Sequence, residues 1–264
     1  MDLDSLTLPE NQNDLIAKVA AANPRTIVVL ETGSPVTMPW VDQVAGILEA
    51  WYPGIRGAEA VANVLFGDVN PGAKLPITFP KSESDLPHLA IVKPPAESTT
   101  KRGDSEAWKR IAAGLPAFQI SYEEGLKVGY KWYDAEKKPV LFPFGYGLSY
   151  TTYSYSSLQV APAGKSARVS FTVANTGRRA GSEIAQVYAN LPASSGEPPK
   201  RLLGWSKVAL QPGESKTVSL DIDPLYLSIF NVERNAWQLI PGAYTILVGG
   251  SSQNLPLKGT IDLK

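Results

Sequence analysis

Cysteine is absent from the 264 residues, which removes disulfides, thiol nucleophiles and thiolate metal sites together. Histidine occurs once, at His88, so a Ser-His triad has a single candidate and a histidine-rich metal site has none. His88 stands in the loop-like "SDLPHL" with no motif around it, the setting of a surface histidine rather than of a base. Charge of one sign is also missing: 25 Lys and Arg balance 25 Asp and Glu, and basic residues gather no further than pairs such as Lys109-Arg110 and Arg178-Arg179. Neither a nucleic acid nor an anionic membrane is therefore an expected partner, since both need a concentrated positive face. No apolar run approaches the roughly 20 residues of a membrane span, and residues 1–15 have neither the basic n-region nor the apolar h-region of an export signal. The nucleophile elbow G-x-S-x-G, the P-loop and H-E-x-x-H are absent as well, which leaves a serine hydrolase or zinc peptidase poorly supported.

What is present changes character near residue 150, and the expected domains are 1–150 and 151–264. In the first, "ENQNDLIAKVAAANP" places Leu15, Ile16, Val19 and Ala22 on one helical face, stopped by Asn23-Pro24. "TIVVLETG" reads as a strand buried on both faces and ending at Gly33. A short helix near Val41 to Ala45 leads to a second apolar run, "ILEAWYPG". "GAEAVANVLFG" then repeats the helix signal, with Ala58, Val61, Ala62, Leu65 and Phe66 on one side and Gly67 as the stop. This rhythm predicts a layered α/β sandwich with a mainly parallel sheet, and "KLPITFP", proline at both ends, belongs at a sheet edge. Residues 81–120 are polar and proline-bearing and read as a long exposed loop. From Tyr153 onward alternation is strict: "ARVSFTVANTG" sets Val169, Phe171 and Val173 on one face, and Asn175-Thr176-Gly177, Pro212-Gly213 and Pro241-Gly242 mark turns. Roughly seven short strands predict an immunoglobulin- or fibronectin-like β-sandwich, held by packing alone in the absence of cysteine.

The remaining reactive groups are carboxylates: Glu31, Glu49, Asp68, Glu123, Glu124 and Asp134. Glu31 and the Gly33-Ser34 turn follow a strand, where ligands commonly meet α/β sheets, although a tight connection explains the turn equally well. Glu123 and Glu124 lie in "SYEEGLKVGYKWYD" among Tyr122, Tyr130, Trp132 and Tyr133. Aromatics beside carboxylates build sugar sites, with apolar sugar faces stacking and hydroxyls hydrogen-bonding, so Glu124 and Trp132 are the candidate sugar contacts. The competing reading, stronger so close to the domain boundary, is that these aromatics join the two domains.

Longer motifs carry a resemblance. "ILEAWYPGIRGAEAVANVLFGDVNPGAKLPITFP", "EEGLKVGYKWYD" and "LFPFGYGLSYTTYSY" resemble the C-terminal half of glycoside hydrolase family 3, the β-glucosidase and β-xylosidase family. "NTGRRAGSEIAQVY", "PPKRLLGWSKVALQPGES" and "GAYTILVGGSS" resemble its appended fibronectin-III-like domain. The resemblance covers most of the chain, residues 93–118 being the main gap. It implies retaining, exo-acting hydrolysis of a β-linked oligosaccharide or aryl glycoside by two carboxylates, with no metal or organic cofactor. Its nucleophilic aspartate lies on a (β/α)8 barrel that precedes the part seen here. The acid/base glutamate of the β-glucosidase-like branch lies in E-G-x-D-R, shortly before L-x-L-P-x-x-Q. "LTLPENQ" matches the latter, Asp2 matches the aspartate, and Met1 stands at the variable position. The resemblance thus implies that neither catalytic carboxylate is in this chain, that Met1 and Asp2 border the sugar site, and that an N-terminal barrel half is the partner. It also implies a periplasmic or secreted parent and a homodimer, with sugar specificity set by the barrel.

Two positions depart from the family pattern. Leu3 stands where arginine is common, and Lys131 replaces the arginine of "GYRWYD", which keeps the charge but loses the planar fork that grips two oxygens at once. Two other classes of function remain open: a stand-alone carbohydrate- or protein-binding module, and an independent hydrolase using Glu31, Glu123 or Glu124 with His88.

Overall fold

The computed structural model describes residues 5–88 and 121–264. Its first part is a layered α/β unit and its second an all-β sandwich. Helix α1 (Gln12–Ala22) opens the α/β unit, its first exposed turn tied by Asp14 and Lys18 at 2.7 Å, one helical turn apart. It ends because Asn23, forced toward extended backbone by Pro24, leaves the helix at φ −142° and ψ 104°. Strands β1 (Ile27–Leu30) and β2 (Gly46–Glu49) pair in parallel, from Ile27 opposite Gly46 to Leu30 opposite Glu49. Helix α2 (Gly57–Leu65) follows, and Gly67 stops it at φ +82°, a left-handed position where a side chain would be strained.

Two expectations for this unit need correction. Strand β1 buries one face, through Val28 and Leu30, while Ile27 is 51% exposed, because β2 is its one hydrogen-bonded neighbour among the described residues. The apolar faces of the helices are likewise left partly bare: Leu15 and Val19 on α1 are exposed, and Phe66 beside α2 is 84% exposed. The core forms instead around Leu8, Val28, Leu30, Val36, Met38, Trp40 and Phe79. The "KLPITFP" stretch narrows to a two-residue strand, β3 (Phe79–Pro80), antiparallel to β4 (Val140–Phe142). Phe79 is buried between the rings of Trp51 and Phe142, at centroid distances of 6.0 and 6.2 Å. A third short helix, α3 (Tyr130–Ala135), precedes β4.

The second part has seven strands in two antiparallel sheets. One is β5 (Tyr153–Ala163), β6 (Ser166–Asn175) and β9 (Ser215–Asp221). The other runs in the order β13 (Leu257–Leu263), β12 (Gly242–Gly249), β7 (Gly181–Asn190) and β8 (Arg201–Leu210). A separate hairpin, β10 (Ser228–Asn231) with β11 (Ala236–Leu239), stands apart from both sheets. Val169, Phe171 and Val173 share the inner face of β6, each fully buried against Ala185, Val187, Tyr244, Ile246 and Val248 of the facing sheet. Asn175 shows how the predicted turn works. Its buried amide donates to the Arg179 and Leu210 carbonyls and accepts from the Thr151 hydroxyl and the Gly177 N–H, so all of its polar capacity is satisfied locally.

The two parts meet at β7. Its inner residues Ala185, Val187 and Ala189 enter the sandwich core, while Gln186 and Tyr188 point outward. The Gln186 amide donates to the carbonyls of Gly145 and Gly250, and the Tyr188 hydroxyl donates to its oxygen at 2.6 Å. Gly145, at φ +79°, has to be glycine: a Cβ there would lie 2.2 Å from Gln186 Oε1. We expect Phe171→Ala to lower the unfolding free energy by about 3–5 kcal/mol, against about 0.5 kcal/mol or less for Val232→Ala at an exposed position, as read by urea denaturation.

Candidate functional site

Three places bring chemistry-bearing side chains together. The first is the carboxyl end of the parallel pair. Leu30 and Glu49 are register partners, so Glu31 to Ser34 and Glu49 to Tyr52 emerge side by side. The Thr32 hydroxyl is placed to donate to the Ser34 carbonyl at 2.8 Å and to the Glu49 carboxylate at 3.3 Å, and the Trp51 N–H donates to Glu49 at 2.9 Å. Partial burial raises the Glu49 carboxyl above the ordinary range, and these hydrogen bonds offset part of that rise. The Tyr52 hydroxyl packs over Gly33, 2.0 Å from where a Cβ would stand, so a side chain there would push the Tyr52 ring aside. Tyr52 itself is 82% exposed. Glu31 is exposed, and among the described residues no hydrogen bond or ion pair joins it to another carboxylate or to His88.

The second place is the lead-in to α1, which sequence reasoning missed apart from its motif. The Leu6 N–H and the Ser5 hydroxyl both donate to Glu83, each at 2.5 Å, and the Leu6 carbonyl accepts from the Thr37 N–H at 2.8 Å. The Ser5 and Leu6 donors hold the Glu83 carboxyl below its ordinary range. Leu8 is buried in the α/β core, and Trp40 Nε1 donates to Asn13 at 2.7 Å. Beside these residues lies a cleft of about 460 Å³, lined by Thr7, Asn13, Thr37, Lys81, Glu83 and Leu141 among others. No local pattern marks Glu83 as the residue that pins residues 5–6 from 77 positions away. Met1 and Asp2, the two sugar-site positions implied by the resemblance, lie outside the described residues, as does Leu3.

The third place is residues 121–138. Glu124, 9% exposed, pairs with His88 at 2.7 Å, and Tyr122 stands edge-on to the imidazole at 6.3 Å. Glu123 is exposed. Trp132 donates its indole N–H to the Asp85 carbonyl at 2.9 Å, and the ammonium groups of Lys127 and Lys138 lie 5.9 and 5.8 Å from its ring. The neighbouring aromatics join the two parts of the chain. Tyr130 stacks on Phe144 at 5.1 Å, meets Tyr188 edge-on at 5.8 Å, and accepts the Leu202 N–H at 2.8 Å. Asp134 pairs with Lys200 at 2.6 Å, and Lys131 reaches Glu197 at 3.7 Å while Arg201 takes the other Glu197 oxygen. Lys131 thus meets Glu197 as a point charge without the paired fork an arginine would offer, and burial is the largest cause of its lowered pKa. Among the described residues no group of three His, Cys, Asp or Glu side chains could hold a metal ion.

Comparison with known proteins joins these places to one family. Residues 1–150 match the glycosyl hydrolase family 3 C-terminal domain, and residues 183–252 match a fibronectin type III-like domain. The chain belongs to glycosyl hydrolase family 3. This family 3 chain is 38% identical to beta-glucosidase B of Emericella nidulans, a match covering 100% of the chain and 30% of the relative. It is 39% identical to thermostable beta-glucosidase B of Acetivibrio thermocellus, covering 98% of the chain and 32% of the relative. Among solved structures, a beta-glucosidase from Streptomyces venezuelae in complex with D-glucose superposes with TM-score 0.83 at 38% identity, over 100% of this chain and 32% of that one. Beta-D-glucoside glucohydrolase from Trichoderma reesei superposes with TM-score 0.87 at 30% identity, over 100% and 37%. The family 3 chain therefore spans about a third of the length of these relatives.

Burial pushes the phenols of Tyr130 and Tyr133 up to about 12. Tyr130 and Tyr133 should then ionise above the ordinary value of about 10, and ultraviolet titration of Tyr130→Phe and Tyr133→Phe should each remove amplitude near pH 12 rather than near pH 10. The linked stability is fully present below about pH 10 and declines as pH rises toward 12, because the unfolded chain ionises first.

Proposed function

We propose that this chain is the C-terminal portion of a retaining, exo-acting β-glycosidase of the β-glucosidase kind. In this reading it forms one wall of a sugar site whose nucleophile is carried by a (β/α)8 barrel. The match along the whole chain to β-glucosidases about three times as long carries the proposal. The geometry of residues 5–8 supports it. Glu83, Thr37 and the burial of Leu8 hold the motif "LTLPENQ" in a defined position, as needed if an acid/base glutamate just before it is to be aimed. Retaining hydrolysis requires two carboxyl groups about 5–5.5 Å apart, so a wall residue that moves by a small amount changes the rate. The bare apolar side chains Leu15, Tyr52, Ile55 and Phe66 support a partner surface of matching apolar character.

Within this reading the α/β unit runs to residue 150 and the sandwich over 151–264. Met1, Asp2, Glu124 and Trp132 are the proposed sugar contacts. Trp132, tied to Asp85 and flanked by two lysines, positions the segment that carries Glu124. The substrate class is a β-linked oligosaccharide or aryl glycoside, and the partner is the barrel half of the same enzyme.

The test is hydrolysis of 4-nitrophenyl β-glucoside and β-xyloside by the purified chain, alone and mixed with a family 3 barrel half. We expect activity in the mixture and none from the chain alone. Activity of the chain alone, abolished by one of Glu31→Gln, Glu123→Gln or Glu124→Gln, would overturn the proposal in favour of an independent hydrolase. Saturable oligosaccharide binding with no activity in either case would favour a binding module.

A further inference from the structure

A second cleft, of about 350 Å³, lies at the seam between the α/β unit and the sandwich. Its floor holds a pair of charges taken almost out of water: Lys74 and Glu183, at 13% and 6% side-chain exposure, approach to 3.0 Å. Lys74 also donates to the Gly147 carbonyl at 3.0 Å. The Glu183 carboxylate also lies within hydrogen-bonding reach of the Tyr155 hydroxyl. The Tyr153 and Tyr155 hydroxyls both line the cleft, Tyr153 beside Ser149. Burial, and next the Glu183 carboxylate, push the Tyr155 phenol far above its ordinary value, so it remains a neutral donor.

These groups converge over a glycine. A Cβ on Gly250 would stand 3.5 Å from the Tyr155 hydroxyl, 3.6 Å from Glu183 Oε1 and 4.0 Å from Lys74 Nζ. The missing side chain leaves open the point that all three polar atoms face. The cleft is many times larger than one water requires. Its size falls within the range of small-molecule sites. The charges decide the class of occupant. Lys74 and Glu183 cancel, so an anion is repelled by one and a cation by the other. Phenol hydroxyls, a carboxylate and an ammonium group together suit a neutral molecule with several hydroxyls, and the tyrosine rings supply apolar walls for its C–H faces.

We propose that this seam cleft binds a neutral polyol, a free monosaccharide or a smaller sugar alcohol, through Tyr155, Glu183 and Lys74. The inference makes no use of the glycosidase reading, and a negative result leaves that reading untouched. Isothermal titration of the full chain with D-glucose, glycerol, inorganic phosphate and ethylamine tests it, and the first two arms separate the two sources of polyol. We expect saturable binding of D-glucose or glycerol with a Kd on the order of 1 mM, and no binding of phosphate or ethylamine. Gly250→Ala places a methyl at ordinary contact distances, so it should keep the melting temperature and weaken polyol binding at least tenfold. Tyr155→Phe should weaken it similarly. The proposal is overturned by tighter binding of either charged probe, by polyol affinity unchanged in Gly250→Ala, or by no saturable polyol binding with only ordered waters bridging Tyr155 and Glu183.

Discussion

The burial of strand β7 on both faces is the constraint on which the rest of the molecule depends. On the inner side Ala185, Val187 and Ala189 are sealed into the sandwich core with Phe171, Ile246 and Val248. On the outer side Gln186 and Tyr188, both polar, are buried against the α/β unit. A buried amide and a buried phenol are tolerated only when hydrogen-bonded. They are satisfied by the Gly145 and Gly250 carbonyls and by each other. The seam therefore holds one geometry, because a small shift of either part would strand those polar groups. This ties the position of the α/β unit to that of the sandwich.

The same constraint accounts for the density of charge and aromatic rings near residue 130. Helix α3 carries Tyr130 toward Tyr188 and Leu202, and Lys131 and Asp134 toward Glu197 and Lys200. These pairs are largely buried, so solvent screens them less than it does exposed surface ion pairs. Trp132 turns the other way, to Asp85, close in sequence to the Glu83 that holds residues 5–6. A continuous set of contacts thus runs from the sandwich, through α3, toward the segment that leads into α1. The apolar surface left bare on α1 and beside α2 belongs to the same unit.

Much of this was legible in the chain itself. The helices, the parallel pair and the alternating strands follow from local periodicity. Asn23-Pro24 and Gly67 mark the helix ends through backbone sterics, and Val169, Phe171 and Val173 align because strand side chains alternate. The aromatics near residue 130 were harder, because a sugar platform and a domain fastener draw on the same residue types. Tyr130 serves as a fastener, a role that depends on Phe144, Tyr188 and Leu202 coming near. Glu83 was not legible at all, since nothing in "KSESD" announces donors at Ser5 and Leu6.

By itself, then, the sequence determined the element types, the sandwich core, the absence of thiol chemistry and the family, because these rest on composition, short-range periodicity and long ordered motifs. Tertiary structure decided which carboxylates are free, which are spent on lysines and histidine, and that Glu183, Lys74 and Tyr155 meet over Gly250. Those outcomes depend on pairings between residues some 30 to 180 positions apart, such as His88 with Glu124 and Lys74 with Glu183. Local propensity carries no information at that range, and only the packed chain brings such groups within a few ångströms.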